Sequence, residues 1–280
     1  MEQPIIAKRE VTKYILEAFG HRAKKKLGQN FLVDEKAVEA IAAATKCGPG
    51  ETVLEIGPGI GTLTQALAMR GAQVKAVELD SDLVKVMGKT LEGYDNIEII
   101  NEDILKANIP AITANKEFTV AANLPYYITT PIIFALLEQH LPIKRLVMMV
   151  QKEVAERIVA VPGGKDYGAL TVAMQYYTEP KLLCTVPAKG FLPPPHVESA
   201  VLVCERRAKA PVDVDEATFF KVVKGAFSVR RKMLSNALKN MGLSNEYVTA
   251  WLERAGIDGK RRGETLTIEE FGVLANTFNG

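Results

Sequence analysis

Four consecutive residues, Asn123-Leu124-Pro125-Tyr126, carry the most specific chemistry in the chain. An amino group conjugated to an aromatic ring is a poor nucleophile, because its lone pair is delocalised into the ring. Two acceptors, the Asn123 side-chain oxygen and the Leu124 carbonyl, can hold its hydrogens and favour a pyramidal, more nucleophilic nitrogen. Pro125 stiffens the turn, and Tyr126 offers a ring on which a planar base can stack. A second group of residues suits a nucleotide-like ligand. In Gly57-Pro58-Gly59-Ile60-Gly61 the glycines let the backbone approach a ligand, and free N–H groups with the dipole of a following helix favour a polar or anionic group. Glu78 ends a strand where it can bind ribose hydroxyls. Asp103, just past another strand, can accept a hydrogen bond from an adenine amino group.

The elements that must position these residues follow from hydrophobic spacing. Thr52-Val53-Leu54-Glu55-Ile56 reads as a buried parallel strand, residues 62–69 as a helix and residues 73–77 as a second strand. A helix over 82–91 and a strand over 97–100 come next, then a strand over 118–122 that runs into Asn123. Residues 131–139 form a helix with proline at an early position. A strand over 145–151, a helix over 152–161 and two late strands over 170–177 and 197–204 complete this part. Upstream, residues 8–19 suit an amphipathic helix ended by Gly20. A basic loop, KKKLGQNFLVD, then enters a helix at Asp34, a good N-cap. Between the late strands, Gly190-Phe191-Leu192-Pro193-Pro194-Pro195-His196 is a stiff extended loop that cannot join a ladder. It presents Phe191 as a second face for a flipped base, whereas His196 reads as a loop residue. After a polar linker over 205–215 the pattern is helical over 217–227, 230–241, 245–256 and 267–278, with Thr267 opening a capping box.

Composition sets the outer bounds. The chain has 280 residues, 48% hydrophobic and 24% charged, which allows one larger domain and a small one. No apolar run approaches the ~18 residues that span a membrane. The N-terminal residues show no secretory signal, and Cys47, Cys184 and Cys204 fit neither a disulfide framework nor a zinc site. A cytoplasmic protein with reduced thiols is expected. The net charge of +2 hides asymmetry: Lys24-Lys25-Lys26 form one basic run, and residues 217–245 contain Lys221, Lys224, Arg230, Arg231, Lys232 and Lys239 without an acid. Two such runs flanking a nucleotide-binding domain make nucleic-acid phosphate a candidate partner.

The dinucleotide fingerprint G-x-G-x-x-G fails in both registers, since its third position falls on Thr62 or Thr64. The pattern E-x-G-x-G-x-G with a strand-ending acid instead resembles the S-adenosylmethionine site of Rossmann-like methyltransferases. With LGQNFLVD, LEIGPGIGTLT, VELD, NEDIL, NLPYYITTP, FLPPPHVESAV and AFSVRRKMLSNAL in order, the chain resembles the ribosomal RNA adenine dimethyltransferase family, and within it the bacterial small-subunit enzymes.

The resemblance implies an α/β, Rossmann-like methyltransferase domain over 1–207 and a small all-helical RNA-binding domain over 208–280. It implies S-adenosyl-L-methionine as donor and two adenosines in the terminal hairpin loop of small-subunit rRNA as acceptors, in a pre-ribosomal particle. No membrane or DNA partner and a monomeric state are expected. Asn30 and Leu32 would contact the cofactor, Gly57 would pack against the donor, Glu78 would bind its ribose and Asp103 its adenine amine. Asn123 would sit between donor and target, with Leu124 as the second acceptor, and Tyr126 and Phe191 would stack on the substrate adenine. The macrolide-resistance methyltransferases share the QNF and N-x-P-Y signatures but modify large-subunit rRNA, and the triple-proline loop with ESAV and FSVRRK favours the small-subunit enzyme. A DNA adenine methyltransferase usually has Asp at the position of Asn123. A noncatalytic ribosome-assembly factor is the alternative from another class.

Overall fold

Runs rich in apolar and β-branched residues line up as five parallel strands in the computed structural model, which describes residues 3–229 and 231–279, with the inner strands buried on both faces. Nine strands occur in chain order among the described residues: β1 (Phe31–Leu32), β2 (Thr52–Ile56), β3 (Gln73–Glu78), β4 (Ile97–Asn101), β5 (Phe118–Asn123), β6 (Ile143–Gln151), β7 (Thr178–Val186), β8 (Phe191–Leu192) and β9 (Ser199–Arg206). Seven form one sheet in the order β4-β3-β2-β5-β6-β9-β7. From β4 to β6 the strands are parallel, and β9 runs antiparallel to β6.

Register decides where the site falls. Ile56 pairs with Val77 on one side and Ala122 on the other, and Val77 pairs with Ile100. The next residues, Gly57, Glu78, Asn101 and Asn123, therefore leave the sheet together at its carboxyl edge, the edge where open α/β sheets bind ligands. The strand interiors are closed: Val53, Leu54, Val120, Ala121, Met148 and Met149 are all fully buried.

Helix boundaries agree with local signals. Asp34 caps the helix Glu35–Ala44 by accepting from the Ala37 amide, and Thr267 with Glu270 forms the expected capping box before Ile268–Asn276. Thr62–Met69 is helical as the spacing predicts. Pro131 sits at the third position of Thr129–Glu138, where its missing N–H costs no helical bond. The helix after β6 is shorter than its pattern, ending at Ile158. The predicted helix over 230–241 is observed as Leu234–Lys239; Arg230 lies outside the described residues.

Two expectations are corrected. Residues 170–177 are not a strand but lie in the helix Ala169–Tyr177. Their Thr, Val and Tyr content reads as β, but Thr171 Oγ donates to the Arg157 carbonyl, and Gln175 donates to the carbonyls of Ile158 and Ala160. These tertiary bonds override propensity. The strand is the following segment β7, at the edge of the sheet, where Pro180 is tolerated because one side of the strand needs no ladder bond.

The chain also divides differently from a single boundary after residue 207. One unit runs to Ala155 and resumes over Lys181–Arg206, and the second comprises Glu156–Pro180 and the residues from Arg207 onward. Aromatic packing explains the excursion. Tyr176, at the end of its helix, lies 4.7 Å from the Phe219 ring, and Tyr177 stacks on Phe220 at 5.5 Å. Within the same unit the Trp251 indole is fully buried and donates to the Leu274 carbonyl at 3.0 Å. No helix among the described residues is long and apolar enough to cross a membrane.

Candidate active site

A cleft at the carboxyl edge brings together Asn30, Leu32, Gly57, Glu78, Asp103, Asn123, Leu124 and Tyr126. Gly57, Gly59 and Gly61 have φ of +67°, +65° and +91°, a region closed to most side chains. A Cβ on Gly61 would also meet Leu91 Cδ1 at 2.9 Å. The three glycine amides of the turn are not free, contrary to expectation. Gly57 N donates to Val77 O, Gly59 N to Glu78 Oε2 and Gly61 N to Pro58 O. The contribution of these glycines is close backbone approach.

Glu78 is buried at the end of β3, and its two oxygens accept from the amides of Asp80 at 2.8 Å and Gly59 at 3.1 Å. A carboxylate has about four lone-pair sites, so two remain for vicinal hydroxyls. Burial pushes its pKa above the ordinary carboxylate value, with the backbone amides of Asp80, Gly59 and Leu79 pulling the other way. Asp103 Oδ1 accepts from the Leu105 amide at 3.1 Å, and its second oxygen lies 3.9 Å from Lys106 Nζ.

The residues before β1 form a strap along the cleft wall, with Leu27, Gly28 and Gln29 lining it. Gln29 Nε2 donates to Asp80 Oδ2 at 2.7 Å, while Lys24 Nζ bridges Asp80 and Asp82 at 2.7 and 2.8 Å. One lysine of the first basic run is thereby neutralised internally; Arg22, Lys25 and Lys26 stay exposed. Asn30 contributes its carbonyl, which accepts from Asn123 Nδ2 at 3.4 Å.

That bond orients the key amide. With Nδ2 turned to Asn30, the Asn123 Oδ1 has no partner among the described residues. The Leu124 carbonyl likewise accepts no hydrogen bond among them, although the Leu124 amide donates to Met149 O at 3.0 Å. Pro125 O is used locally, by the Ile128 amide and the Thr129 hydroxyl. Two unused acceptors thus belong to neighbouring residues that line the cleft.

Phe191 is corrected. The triple-proline loop does join a ladder through Phe191 and Leu192, which pair with Leu32 and Phe31. The Phe191 ring is 1% exposed and packs in the apolar cluster with Leu32 and Val186. In this conformation it presents no face to a base. His196 is exposed, as a loop residue should be.

Glu55 was missed. It lines the cleft and is 1% exposed, and the Thr64 hydroxyl and amide beside it partly offset the cost of burying its charge. Burial raises its pKa to about 8, and the Glu78 charge adds to the effect. A lone carboxyl in an otherwise apolar strand was the available signal. Above its ordinary value of 4.5 the unfolded chain has released a proton that the folded chain keeps. Stability therefore falls as pH rises from about 4.5 towards 8, by at most about 1.4 kcal/mol per unit. Chemical unfolding from pH 5 to 8 should show this slope, and Glu55→Gln should flatten it; an unchanged slope would refute the assignment.

These residues fit S-adenosyl-L-methionine: an acid with spare lone pairs for ribose, a second acid for the adenine amine, and a glycine turn at positive φ that lets the backbone approach the ligand. The topology, with its ligand edge at the glycine turn, is that of Rossmann-like methyltransferases. Residues 20–279 match the ribosomal RNA adenine dimethylase family, and the chain belongs to it. The ribosomal RNA small subunit methyltransferase A of Bacillus cytotoxicus is 47% identical over 277 residues, 95% of each chain. That of Clostridioides difficile is 42% identical over 280 residues, 98% of this chain and 97% of the relative. Among solved structures, a dimethyladenosine transferase from Plasmodium falciparum has a TM-score of 0.74 at 28% identity, covering 87% of this chain and 95% of its own. The 23S rRNA methyltransferase ErmE has a TM-score of 0.68 at 30% identity, covering 90% and 100%.

Proposed function

We propose that the protein dimethylates N6 of two adjacent adenosines in the terminal hairpin loop of small-subunit rRNA, acting as a monomer on a pre-ribosomal particle in the cytoplasm. The observation that carries the chemistry is the pair of unused acceptors, Asn123 Oδ1 and Leu124 O, in the same cleft as Gly57 and Glu78. Relatives at 42–48% identity named for the small subunit favour that RNA over the 23S substrate in the name of the more distant ErmE.

S-adenosyl-L-methionine, when bound, supplies an electrophilic methyl group on a sulfonium. Glu78 holds the ribose, Asp103 the adenine amine, and Asn30, Leu32 and Gly57 complete the cofactor wall. Tyr126 supports the target base. Asn123 Oδ1 and Leu124 O accept the two N6 hydrogens and direct the nitrogen lone pair at the methyl carbon. The donor would supply the methyl carbon to N6, with the C–S electron pair going to sulfur as the C–N bond forms. The nitrogen loses a proton to solvent, and a second turnover gives dimethyladenosine. Neutral acceptors suffice, because the nitrogen becomes acidic as it is alkylated. Proximity and fixed dipoles account for the rate.

In the helical unit, Lys221, Lys224, Arg231 and Lys232 are exposed in a stretch without acids and supply charge for RNA phosphates. Labelled methyl transfer to undermethylated small subunits, large-subunit RNA and duplex DNA tests the proposal. Dimethyladenosine in small-subunit RNA alone is expected. Label in large-subunit RNA would assign the resistance-type activity, and tight subunit binding without transfer would leave an assembly factor.

A further inference from the structure

We propose that Ser199 is a positioning residue that holds the Tyr126 ring in place for the target base. The inference rests on the stacking role given to Tyr126 above.

The topology explains why a residue so far along the chain reaches the site. Because β9 is antiparallel to β6, its first residue, not its last, lies at the ligand edge, and Ser199 pairs there with Gln151. The hydroxyl of Ser199 lies 2.7 Å from that of Tyr126. Ser199 is fully buried, and a buried hydroxyl needs a partner. Tyr126 is half-buried, with one edge of its environment open to the cleft. The bond joins the far end of the ring to the rigid sheet, whereas Pro125 constrains only the near end. A tyrosine ring has two torsions, and fixing both ends removes the swing that would let a stacked base wander. The withdrawal of Phe191 into the core makes this matter more, because in this conformation Phe191 offers no second ring to clamp a base against Tyr126.

Tyr126 and Ser199 should therefore act as one unit. The test is a double-mutant cycle with Ser199→Ala, Tyr126→Phe and the combined variant, alongside Tyr126→Ala. Each is assayed for kcat and KM on undermethylated small subunits at saturating S-adenosyl-L-methionine, and for cofactor Kd. Ser199→Ala and Tyr126→Phe should each lower kcat by about tenfold, the upper worth of one net hydrogen bond. Cofactor Kd should not move, and the combined variant should be no slower than either single one. A general loosening of β9 would instead multiply with Tyr126→Phe and weaken cofactor binding as well. Multiplying losses, or normal kinetics in Tyr126→Phe, would overturn the role of Ser199 while a slow Tyr126→Ala preserves the stacking platform. Normal kinetics in Tyr126→Ala would remove the platform itself, and the inference with it.

Discussion

Asn123→Ala is expected to lower kcat by about two to three orders of magnitude with much smaller loss of cofactor binding. The side chain offers one unused oxygen, aimed by the 3.4 Å bond from its nitrogen to Asn30 O. In the ground state that oxygen holds one of two amino hydrogens, and a water could replace it at little cost. As nitrogen pyramidalises and gains positive charge, the same bond strengthens, and a mobile water stabilises that charge less well than a fixed dipole. The loss should therefore fall on the chemical step. Single-turnover methylation and calorimetric cofactor binding separate the two quantities. Equal losses in both would sink the role given to Asn123, since they would mean the residue merely shapes the cofactor wall.

Glu78→Ala should show the opposite division. Hydrogen bonds to a charged acceptor contribute about 1.5–3 kcal/mol each, and two ribose hydroxyls would lose theirs. Cofactor Kd is expected to weaken by about a hundredfold or more, with kcat at saturating cofactor much less affected. Glu78→Gln should fall between, because one of its two positions becomes a donor facing the Gly59 or Asp80 amide. Affinity should also decline on the acid side at a pH above the usual carboxylate range, since burial raises the Glu78 pKa and the protonated form loses acceptor capacity. An unchanged Kd in Glu78→Ala would place the ribose elsewhere.

What could be read from the residues was what local rules govern. Gly57, Gly59 and Gly61 sit at positive φ between a strand and a helix that spacing alone locates. The strand-ending placement of Glu78 and Asn123 follows from where apolar runs stop. What could not be read depends on distant partners. Thr171 and Gln175 look like strand residues until the Arg157, Ile158 and Ala160 carbonyls are beside them. Phe191, next to prolines, reads as a displayed ring, yet the ladder with Leu32 turns it into the core. Gly59 N reads as a free donor until Glu78 folds back onto it. Ser199 carries no signal of its own, because its partner is set by the direction of β9.

The two-residue ladder between β1 and β8 joins segments from opposite ends of the methyltransferase unit. A nascent chain emerges in order, so β1 at the end of the strap has no ladder partner until Phe191 and Leu192 have been made, although Lys24 and Gln29 can meet Asp80 much earlier. Contacts between distant segments carry the larger loop-closure cost and form late. Newly synthesised protein should thus own the glycine turn and the ribose acid before it owns a finished enclosure, and truncated chains ending before Phe191 would hold the strap by its polar contacts alone.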